Sequence, residues 1–361
     1  MQQTKTTKTN PFKRLLAKRG MGQVITVTFG LIILCVVFQF FNRNFFSPAN
    51  LGNLLRQIAP ILIIGIAQSF VLITGNIDLS IGSVMGMSSM MAATMMCRGI
   101  TPLLAIPITL ISCIAVGIIN GELVARFKLP PFIATLGTMT IARGIAQVVN
   151  NNHNTDSITS GIGRPAADAF KNFFYYGRLI TVGEFSLFNS VVIALVLWLA
   201  FNFLLSKTRF GRHVYAVGSN IEAAQLSGVN VIRTTTYVYM VSALLSCVAG
   251  LIVCATTGMG AMDTGNGYEL YAVASSVIGG VSTLGGQGIL LGTVVGSAIW
   301  SVLQNGLQFA GAPVAIRNII IGIIVVFSVL LDVLIRRGGH KKPRWLGRGA
   351  STPKGGTAAA L

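Results

Sequence analysis

Charge is what this chain has least of: only 10% of its residues are Asp, Glu, Lys or Arg, against about 25% in soluble domains. So sparse a set cannot coat a water-soluble fold. Acids are the scarcest part, nine among 361 residues. Those nearest the apolar runs, Asp78, Glu122, Glu269 and Asp332, all sit close to run ends. The three histidines, His153, His213 and His340, fall between runs. A chain of titratable groups at membrane depth, the usual mark of proton coupling, therefore has no material here. No glycine is followed by lysine and then Ser or Thr, so the phosphate-cradling loop of a nucleotide-binding protein is absent. No nucleophile has a general base nearby, and no His, Cys or acid cluster has metal-ligand spacing, which leaves catalysis and metal binding without candidates. Cys35, Cys97, Cys113, Cys247 and Cys254 lie in or beside apolar runs and read as packing residues, not as a disulfide framework.

What the chain does contain is hydrophobic residues, 53% of the total, with a mean hydropathy of +0.73. They arrive in runs of about 17 to 22, the length that crosses roughly 30 Å of hydrocarbon. Ten crossings are expected: 21–41, 58–74, 81–96, 103–123, 132–149, 188–205, 235–256, 270–281, 289–307 and 314–334. The expected fold is an all-α polytopic membrane protein. The eighth crossing is short and runs into Gly279, Gly280, Gly285, Gly286 and Gly288, the pattern of a broken or re-entrant helix, which is tolerated where protein covers the backbone.

The formal net charge of +18 does not indicate a nucleic-acid partner, because the basic residues flank the runs instead of forming a stripe. Lys5, Lys8, Lys13, Arg14, Lys18 and Arg19 precede the first run, and Arg336, Arg337, Lys341, Lys342, Arg344, Arg348 and Lys354 follow the last. The positive-inside bias makes both tails, 1–20 and 336–361, cytoplasmic, with the membrane domain over 21–335. The first run is too long for a cleavable signal and is expected to stay as an anchor. A polar stretch at about 150–187 then falls outside. A basic one at about 206–234 falls inside, and its centre reads as a short helix: Gly218-Ser219-Asn220 supply turn and cap, Ile221 to Leu226 the helix, and Gly228 its stop.

Many of the 41 glycines lie within the runs at spacings of four: Gly82 and Gly86, and Gly288, Gly292 and Gly296. Small residues at that spacing let helices approach closely, whether within one subunit or along a dimer seam. Gly75, Gly82, Ser83, Val84 and Gly86 also align at one offset with Gly285, Gly292, Thr293, Val294 and Gly296, a weak internal repeat of the kind transporters use. Asp78, in Thr74-Gly75-Asn76-Ile77-Asp78-Leu79-Ser80, has two compatible roles: an N-cap, with Ser80, for the third crossing, or a hydrogen-bonding group beside a substrate path. Asn220 to Gly228, with Glu222, Ala223 and Ala224, is either an ordinary surface helix or a knob that seats in a partner's groove.

Several stretches together resemble the ribose-type permeases of ATP-binding-cassette importers, a group related to branched-chain amino acid permeases. They are 74–80 with Gly82-Ser83, Gly117 to Gly121, Pro131 to Gly137, Tyr215 to Asn220 followed by Glu222-Ala223-Ala224, Gly267 to Leu270, Val277 to Gly280, and Asn305-Gly306-Leu307. Asn76 departs from the family, which usually has a second glycine there. The resemblance implies a bacterial cell-membrane importer of a ribose-like sugar. Two permease subunits, identical or paralogous, would form the path, two cytoplasmic ATPase subunits would bind the ATP, and an extracytoplasmic binding protein would deliver the sugar. This chain itself would hold no cofactor. It also implies that the helix at Asn220 to Gly228 couples to the ATPase. For a neutral sugar the path calls for hydroxyl, amide and aromatic groups, and the candidates are Asp78, Ser80, Ser83, Asn120, Phe132, Thr135 and Asn305. The alternative is a secondary carrier or channel that works alone.

Overall fold

Proline sets the start of three long helices, because its missing N–H costs nothing in a first turn and its φ is already helical. In the computed structural model, which describes residues 21–317 together with 319, 320, 322–324, 326, 327 and 330, Pro48, Pro102 and Pro131 each open one. The long elements are α1 (Met21–Phe41), α2 (Pro48–Ile73), α3 (Ile81–Cys97), α4 (Pro102–Ala125) and α5 (Pro131–Val148). A shorter α6 (Thr159–Lys171) leads through a π-helical turn (Asn172–Tyr176) to an antiparallel hairpin of β1 (Arg178–Val182) and β2 (Phe185–Phe188). Then come α7 (Asn189–Lys207), α8 (Arg209–Ser219), α9 (Ile221–Leu226), α10 (Val231–Thr257), α11 (Tyr268–Ile278) and α12 (Leu290–Phe309).

Nine of the ten expected crossings thus correspond to helices; the tenth lies partly outside the described residues. By length and composition, α1, α2, α4, α7, α10 and α12 are able to span a membrane. The main departure is at α2, which begins ten residues before the apolar run because Asn50, Asn53, Arg56 and Gln57 are carried on helix. Polarity hid this part of the element. The stretch at 150–187 is likewise folded, into α6 and the hairpin, and covers one end of the bundle.

The core is built on α2 and α10, which are largely buried, while α1 and α7 turn most of their surface outward. Close packing there depends on residues that are small where helices cross. A Cβ on Gly117 would enter Tyr239 and Ala243 of α10, one on Gly121 would enter Thr236, and one on Gly250 would enter Met85 and Ser88 of α3. Several buried hydroxyls are satisfied by the carbonyl a turn back, as in Ser69 to Gly65 (2.7 Å), Thr109 to Ala105 (2.8 Å) and Ser246 to Ser242 (2.8 Å).

Two elements are broken. After Ile73 the chain turns at Gly75, runs without helix through Asp78, and starts α3 at a point buried in the bundle. After α10, Gly258 in the left-handed conformation (φ 70°) caps the helix. Residues 259–267 then run back along α3: Gly260 packs on Ala93 and Met90, Thr264 on Gly86, and Gly265 on Gly82. The 11 residues of α11 rise only about 16 Å, half a bilayer core. The eighth crossing is therefore short and entered from an irregular segment, as its glycine-rich sequence suggested.

The glycine pairs act inside this one chain. Gly82 and Gly86 admit the backbone of 264–269, Gly292 and Gly296 admit α11 at Gly279 and Ser275, and Gly288 turns the loop against Val281. Gly75 and Gly285, matched in the weak internal repeat, touch each other. Gly292→Ala places a methyl in the carbonyl of Gly279 and is expected to cost about 1–3 kcal/mol. Gly137→Ala, with nothing within 4 Å, is expected to be neutral or to gain up to about 1 kcal/mol. Thermal unfolding in detergent distinguishes the two.

Candidate functional site

Asp78 has 2% of its surface exposed, and its carboxylate is held entirely by side chains and backbone of this chain. Oδ1 accepts from the backbone N–H of Ser80 (2.8 Å) and from its hydroxyl (2.6 Å), while Oδ2 accepts from Ser242 on α10 (2.7 Å). The line continues outward: Asn120 of α4 donates through Nδ2 to Ser80 Oγ (2.9 Å), and Thr138 of α5 donates to Asn120 Oδ1 (2.6 Å). Tyr239 closes the other flank by donating to the carbonyl of Ile77 (3.1 Å). A single chain of hydrogen bonds thus ties the break before α3 to α4, α5 and α10. The second oxygen of Asp78 and the polar ends of Asn120 make it continuous, because each has two sites to offer.

Asp78 does not cap α3. Ser80 occupies the cap position with no side-chain cap bond, and Asp78 spends Oδ1 on Ser80 itself, folding the break into a tight turn. Of the path candidates, Asp78, Ser80 and Asn120 are joined directly. Thr135 adjoins through its carbonyl, which also accepts from Thr138 (3.2 Å), and its own hydroxyl returns to Pro131 (2.8 Å). Ser83 is buried one turn into α3. Phe132 is 56% exposed on the surface of α5, and Asn305 belongs to a different seam, paired with Asn50 of α2 (3.2 Å). The sequence alone did not single out Ser242, Thr138 and Tyr239. Thr138 lies one turn from Thr135 and was accessible by helical spacing, but Ser242 sits in a largely apolar run 164 residues from its partner.

Arg143 is a further residue that reasoning from sequence passed over. Standing on α5, it donates to the carbonyls of Thr264 (2.8 Å) and Met262 (3.3 Å) and so braces the irregular segment before α11. Among the described residues no three His, Cys, Asp or Glu converge as a metal site.

At the opposite end from the hairpin, α8 and α9 form a projecting knob. Asn220 accepts from the N–H of Ala223 (2.8 Å) and caps α9; Gly228 ends it with φ 80°, a conformation costly for any residue with a Cβ. Ala224 is buried, whereas Ile221 is 52% and Leu226 90% exposed. Glu222 and Ala223 also face outward. The base of the knob packs on the end of α2 and is bonded to the loop between α11 and α12. Gly218 packs on the carbonyl of Ile73 at the end of α2, Gly286 donates to that same carbonyl (2.8 Å), and Tyr215 donates to Gly288 (2.6 Å).

Asp78→Asn is expected to cost about 1–2 kcal/mol, since Oδ1 still serves Ser80 and the new amide meets a hydroxyl able to accept. Asp78→Leu strands the donors of Ser80 and Ser242 and is expected to cost more than about 3 kcal/mol. Melting of the purified chain measures both.

Comparison with known proteins places this architecture. The family model described as a branched-chain amino acid transport system / permease component matches residues 50–329. A ribose import permease of Bacillus subtilis (strain 168) is 35% identical over 314 residues, covering 87% of this chain and 94% of that protein. A galactose/methyl galactoside import permease of Haemophilus influenzae is 33% identical, covering 89% and 95%. A fructose import permease of Bifidobacterium longum is 32% identical, covering 92% and 97%. No solved structure is significantly similar to the chain. With its broken helices, its buried hydrogen-bond line and this family match over most of its length, the chain belongs to the permease components of ATP-binding-cassette importers, a family of transport subunits and not of enzymes.

Proposed function

We propose that this chain is the membrane-spanning subunit through which a small neutral sugar enters a bacterial cell, driven by a separate ATPase and supplied by a separate binding protein. The observation that carries the reading is the α8–α9 knob. It presents exposed Ile221, Leu226 and Glu222, and its base packs on the end of α2 and is bonded to the loop before α12. A partner that grips Asn220, Glu222, Ala223 and Ala224, with the turn at Gly228, therefore pulls directly on Ile73 and on the loop before α12. The sugar class follows from relatives named for ribose, galactose and fructose import.

In this account the knob end, with both basic tails, faces the cytoplasm of a cell-membrane protein, and the tails at 1–20 and 336–361 lie outside the described residues. The hairpin end faces outward, toward the binding protein. Two such subunits, identical or paralogous, enclose the path, and two ATPase subunits hold the nucleotide. The chain needs no cofactor of its own. Asp78, Ser80, Ser83, Asn120 and Thr135 bias how the break before α3 sits as the partners alternate between two permease states. Their differential affinity for those states supplies the drive, and an uncharged sugar needs no acid relay.

Glu222→Arg is expected to cut sugar uptake by the assembled importer at least tenfold while the chain reaches the membrane at its normal level, because the knob's charge toward its partner is inverted. Normal uptake would remove the coupling role. The chain reconstituted without an ATPase is expected to show no sugar flux; flux under those conditions would make it a carrier or channel that works alone.

A further inference from the structure

At the hairpin end the seam between α2 and α12 opens into a cavity of about 480 Å³, within the ~300–1,000 Å³ typical of small-molecule sites. Six of its ten lining residues are carboxamides, Asn44, Asn50, Asn53 and Gln57 from the start of α2 and the turn before it, and Asn305 and Gln308 from the end of α12, with Ser47, Ala49, Arg56 and Phe309 completing the wall. A carboxamide offers a donor and an acceptor side by side, the complement of a hydroxyl, which is both. No carboxylate lines the cavity.

The one cation in the wall, Arg56, is held against aromatic rings and Asn53, although its buried Nε has no hydrogen-bond partner. Its guanidinium lies 4.4 Å from the ring centre of Phe188 and 4.8 Å from that of Tyr175, and Nη2 donates to Asn53 (2.7 Å). The same helix also borders a second groove of about 310 Å³, made of Leu55, Ile58, Leu62, Ala194, Trp198 and Val294 with neighbours as apolar. That groove is apolar throughout, so the amides gather in one cavity and are not a general property of α2.

The floor of the cavity is the Asn50–Asn305 pair, beneath which Tyr271 and Trp300 (ring centres 4.9 Å apart) pack with Ile61 and Leu303. In and beyond this plug the same seam holds polar groups with no partner in the protein: Nε1 of Trp300, the hydroxyls of Ser301 and Ser297, and both ends of the Gln68 amide. Gln68 and Ser297 are fully buried. Ser301 and Ser297 lie one and two turns from Asn305 on α12, and Gln68 shares a stripe of α2 with Ile61, as positions three or four apart on a helix do. Unpaired groups are costly away from water, so a row of them continuing an amide-lined cavity indicates a seam built to take polar contents.

We propose that the amide cavity between α2 and α12 is a binding site for a neutral monosaccharide within a single subunit, at the end opposite the knob, with the Asn50–Asn305 pair as its floor. The proposal rests on the sugar reading above and deepens it. The test uses the full chain in detergent with tritiated D-ribose, D-galactose and D-fructose, alongside import of the same sugars by the assembled importer in proteoliposomes.

At least one sugar is expected to bind saturably. Gln57→Leu with Gln308→Leu is expected to weaken that binding at least tenfold, and Gln57→Asn with Gln308→Asn by less. An unchanged melting temperature identifies variants that have folded, and the Asn pair serves if the Leu pair has not. Import of a sugar that the chain does not bind, or undiminished binding by the folded variant, would overturn the site and leave the importer reading standing. A sugar acid competing more strongly than the neutral sugar would also overturn it. Failure of the complex to import any of the three would count against the sugar reading instead, and the loss or persistence of binding in the variants would still decide the site.

Discussion

A carboxylate with no access to water must have its oxygens met by donors from the protein, and at Asp78 that demand organises the centre of the molecule. The donors come from the break itself, at Ser80, and from the middle of α10, at Ser242. Meeting them fixes where α2 stops, where α3 starts, and at which level α10 passes. Once Ser80 is held, its hydroxyl is available to Asn120, and Asn120 in turn to Thr138. Five helices are therefore positioned by one acid and the groups it orders.

Such a break exposes backbone inside the bundle, and glycine allows that backbone to be covered. Gly82 and Gly86 let the irregular segment before α11 lie on α3, where Arg143 holds two of its carbonyls. Gly292 and Gly296 bring α11 and α12 into backbone contact. Van der Waals packing between close backbones replaces the hydrophobic drive that lipid removes. In this structure the end of α2 and the loop between α11 and α12 meet at the base of the knob, where Ile73, Gly218 and Gly286 lie together. The projecting knob and the centre of the bundle are thus separated by only a few residues of α2 and its turn.

The polar groups fall into two sets with different physical characters. The line through Asp78 is saturated, each group meeting a partner, and such a network rigidifies what it joins. The α2–α12 seam holds amides open to a cavity and, deeper, hydroxyls and an amide without partners. The first set resembles a fixture and the second a surface awaiting contents. Asn305, grouped by sequence with Asp78 and Asn120, belongs to the second.

The membrane class, the positions of nine helices, the broken character of the 270–281 segment and the α9 knob were all legible in the sequence. Each follows from local properties: run length against bilayer thickness, glycine and proline punctuation, and the Asn220 and Gly228 caps. Which way each helix faces was not legible. Helices such as α3, α4 and α10 are apolar nearly all round, so the period that reveals the inward face of a soluble helix carries little contrast. Only the packed bundle could pair Ser242 with Asp78, turn Phe132 outward, and send Asn305 to Asn50. Those outcomes depend on helix rotation, which is set by small residues meeting across seams between segments far apart in the chain.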